Sequence, residues 1–158
     1  MPNFQHAFHK VLSLTPTVST GAYADGDNIG GKLSFEGAVR AADPVDIGGV
    51  IRSVIITDLA AQVTDIEVVF FDADPSATTF TDNAALDVAD ADLVKLIGAV
   101  VVSTWQPFAD NSMGYATGLY IPYTLGTGTT LYGAMIATGA TDLVSTSDIT
   151  IQIGLELD

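Results

Sequence analysis

Ile149, Ile151, Ile153, Leu155 and Leu157 alternate without a break with Thr150, Gln152, Gly154 and Glu156. Successive side chains of an extended chain point to opposite faces, so this run has one apolar and one wet face, the pattern of a strand buried on one side. A fully buried aliphatic side chain is worth about 1.5–3 kcal/mol, so the apolar face contributes on the order of 10 kcal/mol before chain entropy is counted. The segment therefore predicts a central element of the core and not a tail.

Two further runs, VIRSVIITD over Val50–Asp58 and IEVVFFD over Ile66–Asp72, are rich in β-branched and aromatic residues and predict strands. Their near-continuous apolar character predicts burial on both faces, against a second sheet on one side and a covering layer or neighbouring subunit on the other. Residues 59–65 between them are few enough for a hairpin. Weaker strand signals cover Val11–Val18, Lys32–Phe35, Ala99–Thr104, Gly118–Tyr123 and Thr130–Ala137, most bounded by Gly, Pro or Asp. Gly126-Thr127-Gly128 lies between YIPYTL and TTLYGAMIA and predicts a second hairpin there. One helix of at most three turns is expected, capped by Asp90, with Asp92 near its positive end, Leu93, Leu96 and Ile97 on its apolar side, and Gly98 ending it. The reading is mainly β: an antiparallel β-sandwich or jelly roll with one short helix. Residues 1–20 form an extended N-terminal arm or first strand, and residues 21–158 form the sandwich.

A chain of 158 residues suits one hydrophobic core. With 48% hydrophobic and 15% charged residues it has ample apolar surface to order itself. Nineteen acidic against five basic residues give a formal charge of −14, which repels phosphate backbones and anionic membranes; neither nucleic acid nor membrane is an expected partner. Solubility is the plain reading of that charge. Without cysteine there are no disulfides, thiolate ligands or thiol nucleophiles. The opening MPNFQHAFHK lacks the basic start and apolar run of a secretory signal, and the longest apolar stretch, Leu96–Val102, falls far short of the roughly 20 residues of a membrane helix.

Few residues offer chemistry. His6 and His9 are the only histidines; they cannot complete a zinc site, and no other imidazole is present to act as a general base. Asp72, Asp74, Asp82, Asp87, Asp90 and Asp92 could gather around calcium, but their spacing is not that of an EF-hand, and turn or capping roles explain them as well. Gly30-Gly31 and Gly48-Gly49 lack the lysine and hydroxyl residue of a phosphate loop and read as turns. Arg52, inside an apolar strand, is expected to pair with a carboxylate. No catalytic residue, metal ligand or cofactor is assigned. Trp105, Phe108, Tyr115, Tyr120, Tyr123 and Tyr132 cluster in one third of the chain; the first five are the candidate interface, with ordinary core packing as the competing reading.

FFDADPSATTFTDNAALDVADADLVKLIGAV, then Trp105, GLYIPYTL, TTLYGAMIATGAT and the closing SDITIQIGLELD give the stretch from about Gly48 to Asp158 a pattern that resembles small β-rich virion proteins of tailed bacteriophages, of the capsid decoration or cement type. The resemblance implies a non-enzymatic protein, made in the host cytoplasm and placed on the capsid surface. Its implied partners are the major capsid protein and its own copies, with a homotrimer favoured. A carbohydrate-binding sandwich of a tail fibre or adhesin, with the aromatic group as its platform, is the alternative; a hydrolase using two carboxylates would need a close acid pair in a cleft.

Overall fold

The computed structural model describes residues 8–40 and 47–158. His6 and the start of the N-terminal arm lie outside the described residues. Eleven strands and one helical turn follow in order: β1 (Phe8–Leu14), β2 (Gly21–Tyr23), β3 (Asn28–Phe35), β4 (Gly48–Asp58), β5 (Ile66–Phe71), α1 (Asp90–Leu93), β6 (Leu96–Val102), β7 (Thr104–Pro107), β8 (Ser112–Thr124), β9 (Leu131–Ala137), β10 (Thr141–Leu143) and β11 (Ile149–Leu157).

The strands form a five-stranded sheet in the order β1-β11-β4-β8-β7 and a four-stranded sheet in the order β3-β9-β5-β6, with β10-β2 as a small ribbon. Every pairing is antiparallel. With β7 and the ribbon set aside, eight strands divide between two four-stranded sheets, β1-β11-β4-β8 and β3-β9-β5-β6, in the order of a jelly roll. The mainly β, sandwich-like architecture with one short helix thus agrees with the sequence pattern. β11 lies between β1 and β4, and Ile149, Ile151, Ile153 and Leu155 are almost wholly buried. They meet Ile66, Val68, Phe70, Leu131 and Met135 of the facing sheet in one core. The expected arm contributes β1, an edge strand whose Leu12 and Leu14 pack on that core.

Neither expected hairpin exists. β4 and β5 belong to opposite sheets, as do β8 and β9, so residues 59–65 and 125–130 cross from one layer to the other. The first crossing is turned by Asp58, whose carboxylate accepts the amides of Ala60 (2.7 Å) and Gln62 (2.8 Å). Ala61 and Val63 take positive φ values of 54° and 46°, a costly conformation for a β-branched side chain. Burial pushes the Asp58 carboxyl above its ordinary value.

The helix is also shorter than expected. α1 is one turn, its N-cap is Ala89 with no side-chain cap, and Leu96, Ile97 and Gly98 belong to β6. The β-branched run that follows pairs with β5, from Val102 opposite Ile66 to Val100 opposite Val68, and this pairing extends the strand back to Leu96. A break of one residue, Ser103, then carries the chain into β7 of the other sheet and closes that edge of the sandwich.

Burial on both faces holds for β5 but not for β4, whose Val50, Ile55 and Thr57 are only half-buried on the outer face; the layer covering β5 comes from the chain itself. The connection 72–95 folds over the outside of the four-stranded sheet as a strap, placing Phe80, Leu86 and Val88 on Val69, Phe71 and Ala134. Phe71 and Phe80 meet edge to face at 6.2 Å. The amide of Asp72 donates to the carbonyl of Lys95 (3.0 Å), closing the base of the strap. Its far side is stitched to the start of β3 by bonds from Asn28 to Ala84, Asn83 to Asn28 and Leu86 to Gly26.

Gly30-Gly31 is not a turn between elements but a bulge inside β3, both residues having positive φ (77° and 74°). A Cβ on Gly30 would stand 2.6 Å from the ring of Pro16. Gly48-Gly49 likewise opens β4 and is not a turn.

Candidate interaction surface

The five candidate aromatics do not form one platform. Tyr123 is inward, 4% exposed, and its hydroxyl donates to the carbonyl of Ala38 at 2.7 Å. Burial raises its phenol far above the ordinary value, so it stays a neutral donor. Replacing Tyr123 with Phe is expected to cost about 1–2 kcal/mol, since a buried carbonyl loses its partner; a urea-unfolding midpoint unchanged from wild type would refute this role. Trp105 is half-buried, packs against the core from β7, and lies so close over Gly114 that a Cβ there would stand 2.8 Å from its ring. It holds the sandwich edge with part of its ring turned to the core. Tyr132 is half-buried beneath the strap, with the Lys32 ammonium 5.5 Å from its ring centre.

Phe108, Tyr115 and Tyr120 are exposed. Phe108 sits in the tight turn from β7 to β8, where its amide donates to the Asn111 carbonyl. Tyr120 flanks Arg52, whose guanidinium is 5.2 Å from the ring centre and is paired with Glu156 at 2.6 Å. The ion pair expected for Arg52 is therefore present, half-exposed and of small energetic weight.

Tyr115 lies on a larger feature that the aromatic count does not reveal. The registers place Ser13, Gln152, Ile55, Tyr115 and Thr104 side by side on the outer face of the five-stranded sheet, one from each strand. Thr150, Thr57, Met113 and Gln106 form a parallel row, extended by Thr15, whose hydroxyl is 2.8 Å from that of Thr150. Val11, Gly154, Ser53 and Thr117 form a third. None of these residues is charged. The whole five-stranded sheet holds two acidic residues: Asp58 points into the core, and Glu156 is neutralised by Arg52 at the margin. The chain carries a formal charge of −14 and presents one broad β-sheet face without net charge.

The strap aspartates are separated: Asp74, Asp82 and Asp92 are bonded within the fold, whereas Asp87 and Asp90 are exposed. Asp82 accepts the amide and hydroxyl of Ser19 (2.7 and 2.5 Å), the Tyr23 hydroxyl (2.8 Å) and the Gly30 amide (2.6 Å). Burial alone would raise its carboxyl; the bonds from Ser19, Gly30 and Tyr23 outweigh it and hold it below the usual range. Asp92, fully enclosed, accepts from Lys95, Thr78 and the Ala77 amide; the Lys95 bond is the main cause of its lowered pKa. Asp74 pairs with Lys32 at 2.6 Å. Among the described residues no three acidic or histidine side chains converge in the manner of a metal site. A cleft of about 220 Å³ lies between the end of β1 and β3, lined by Leu14, Thr15, Pro16, Gly30, Lys32, Leu33 and Ser34. It contains no carboxylate.

No protein-family model and no curated protein matches this chain. Among solved structures, the X-ray structure of Tomato aspermy virus is similar with a TM-score of 0.41 and 12% sequence identity, over 99% of this chain and 86% of that one. A likeness of that size carries no conclusion about function, and the jelly-roll assignment rests on the strand order alone.

Proposed function

We propose that the chain is a non-enzymatic structural component of a virion, a decoration or cement protein of a phage head that binds the outer surface of the assembled shell and stabilises it. The observation that carries this reading is the uncharged outer face of the five-stranded sheet, a broad contact surface on a chain whose strap carboxylates Asp82 and Asp92 serve structural bonds. Jelly rolls also serve lectins and other proteins, so the fold does not choose between these uses. The sequence pattern from Gly48 to Asp158, which resembles phage decoration proteins, adds independent support.

Stabilisation would follow from mass action: a protein that binds the assembled shell and not its separated subunits shifts the equilibrium against opening. Heads assembled with the chain are expected to withstand higher temperature, in the presence and absence of chelator, than heads assembled without it. Equal melting of the two kinds of particle would remove the proposal.

For the carbohydrate-binding alternative, Trp105 is half-buried at the sandwich edge and does not stand free as a platform. Phe108, Tyr115 and Tyr120 are the candidate aromatics that a glycan could still reach, Tyr120 being the most exposed at 70%.

A further inference from the structure

We infer that in the free protein the uncharged face of the five-stranded sheet is covered by the same face of a second copy of this chain, giving a two-fold pair that binding to a shell through this face must displace. Two chains of charge −14 repel, and among the described residues the acidic side chains outside the five-stranded sheet lie in the loops, the strap, the small ribbon and, as Glu67, on β5 of the facing sheet. Contact through those surfaces sets carboxylate against carboxylate, which costs several kcal/mol where the groups are desolvated. The three uncharged rows allow two copies to meet without such an apposition.

The chemistry of the face suits a partner of its own kind. Ile55 and Tyr115 are direct cross-strand neighbours at its centre, and Val11, 66% exposed, is at one side. Thr57, Thr150 and Gln152 surround them with short polar groups that both donate and accept hydrogen bonds. Such a surface is complementary to itself under two-fold symmetry, which places each residue of the patch against the patch of the partner. Sheets meet face to face at about 10 Å with their strands roughly 30° apart. Five strands about 4.8 Å apart and three rows of alternate residues give a footprint of roughly 500 Å² per copy. The total is near the lower limit of specific interfaces, so the pair is expected to be reversible. The contact yields dimers and not the trimer implied by the family resemblance; a trimer requires a different, head-to-tail surface.

The inference rests on reading this face as a contact surface, but not on the identity of the shell. Sedimentation velocity of the full chain from about 1 to 100 µM tests it. The expected result is a monomer–dimer equilibrium that tightens as sodium chloride rises from 0.05 to 0.5 M, because salt screens the general repulsion while the mating surface itself has no charge. Tyr115→Lys is expected to weaken association at least ten-fold with an unchanged far-UV circular dichroism spectrum and urea-unfolding midpoint. Val94→Lys, on a side chain 86% exposed beyond α1 and off this sheet, leaves it unchanged. A wild type that is monomeric at 100 µM, a trimer, a dimer that weakens with salt, or a Tyr115→Lys variant that pairs like wild type would each overturn the inference. Pairing without any thermal difference between heads would leave the inference standing and defeat the proposed function, and the reverse result would separate them the other way.

Discussion

Phe70→Ala and Phe71→Ala are expected to destabilise the protein by similar amounts, about 3–5 kcal/mol each, although they are neighbours facing opposite ways. Both side chains are fully buried. Phe70 points between the sheets, 6.5 Å from Phe35, and its loss opens a cavity in the main core. Phe71 points outward under the strap against Phe80, and its loss removes the floor on which the strap rests. Urea unfolding measures the shared loss, and limited proteolysis separates its causes. Phe71→Ala should open the bonds of residues 72–95 to cleavage under conditions where Phe70→Ala leaves them protected. An exposed-residue cost below 1 kcal/mol at Phe71, or equal protection in the two variants, would show that the strap is not a structural layer.

Asp82 is the other position with a large expected effect. One carboxylate gathers four donors from residues 19, 23 and 30, tying the strap to the segment before β2 and to the bulge of β3. Asp82→Asn sets an amide N–H against those donors, and a loss of about 2–3 kcal/mol at pH 7 is expected. The pH dependence has a definite sign. The folded state holds this carboxyl below the value of about 3.9 of a free aspartate, so its contribution is complete above that value and is lost as pH falls through the folded pKa. Asp92 acts in the same direction. Asp58, raised by burial, acts in the opposite one: it penalises folding once it must ionise and relieves that penalty in acid. The wild type should therefore lose stability below about pH 4, while Asp82→Asn, less stable at neutrality, should show a shallower acid limb. Parallel acid limbs would contradict the role assigned to Asp82.

Much of the fold was legible because alternation is a local signal. β11 follows from nine residues, and the double burial of β5 follows from the absence of polar alternation in VVFF. Partner choice is not local. In a jelly roll consecutive strands tend to sit in opposite sheets, so the short connections at 59–65 and 125–130 resembled hairpins while crossing the sandwich. The LIGAV segment was ambiguous for a related reason: its apolar spacing fits one face of a helix, and only pairing with β5 decides for strand.

The interaction surface was less legible than the fold. A count of aromatics led to Trp105 and Tyr123, which pack inward, as well as to Tyr115, which lies on the face. The informative signal was the residues of opposite parity to the core positions, Thr, Ser and Gln in β11 and β4 with only the paired Glu156 and Arg52 charged, within an otherwise acidic chain. Each strand shows its own part, but the rows exist only once register joins residues as distant as Ser13, Ile55 and Gln152. The strap aspartates looked like a metal cluster because they are close in sequence; the fold sends Asp82 toward Ser19 and encloses Asp92 beside Thr78.

The central claim is that this jelly roll acts by adhering to an assembled shell. Co-sedimentation of the purified chain with heads assembled in its absence, and in parallel with the separated capsid subunits, tests that claim most directly. Saturable pelleting with intact heads, at a fixed ratio to lattice sites and without binding to free subunits, is the predicted result. A chain that stays in the supernatant with intact heads, or binds subunits and heads alike, would contradict it.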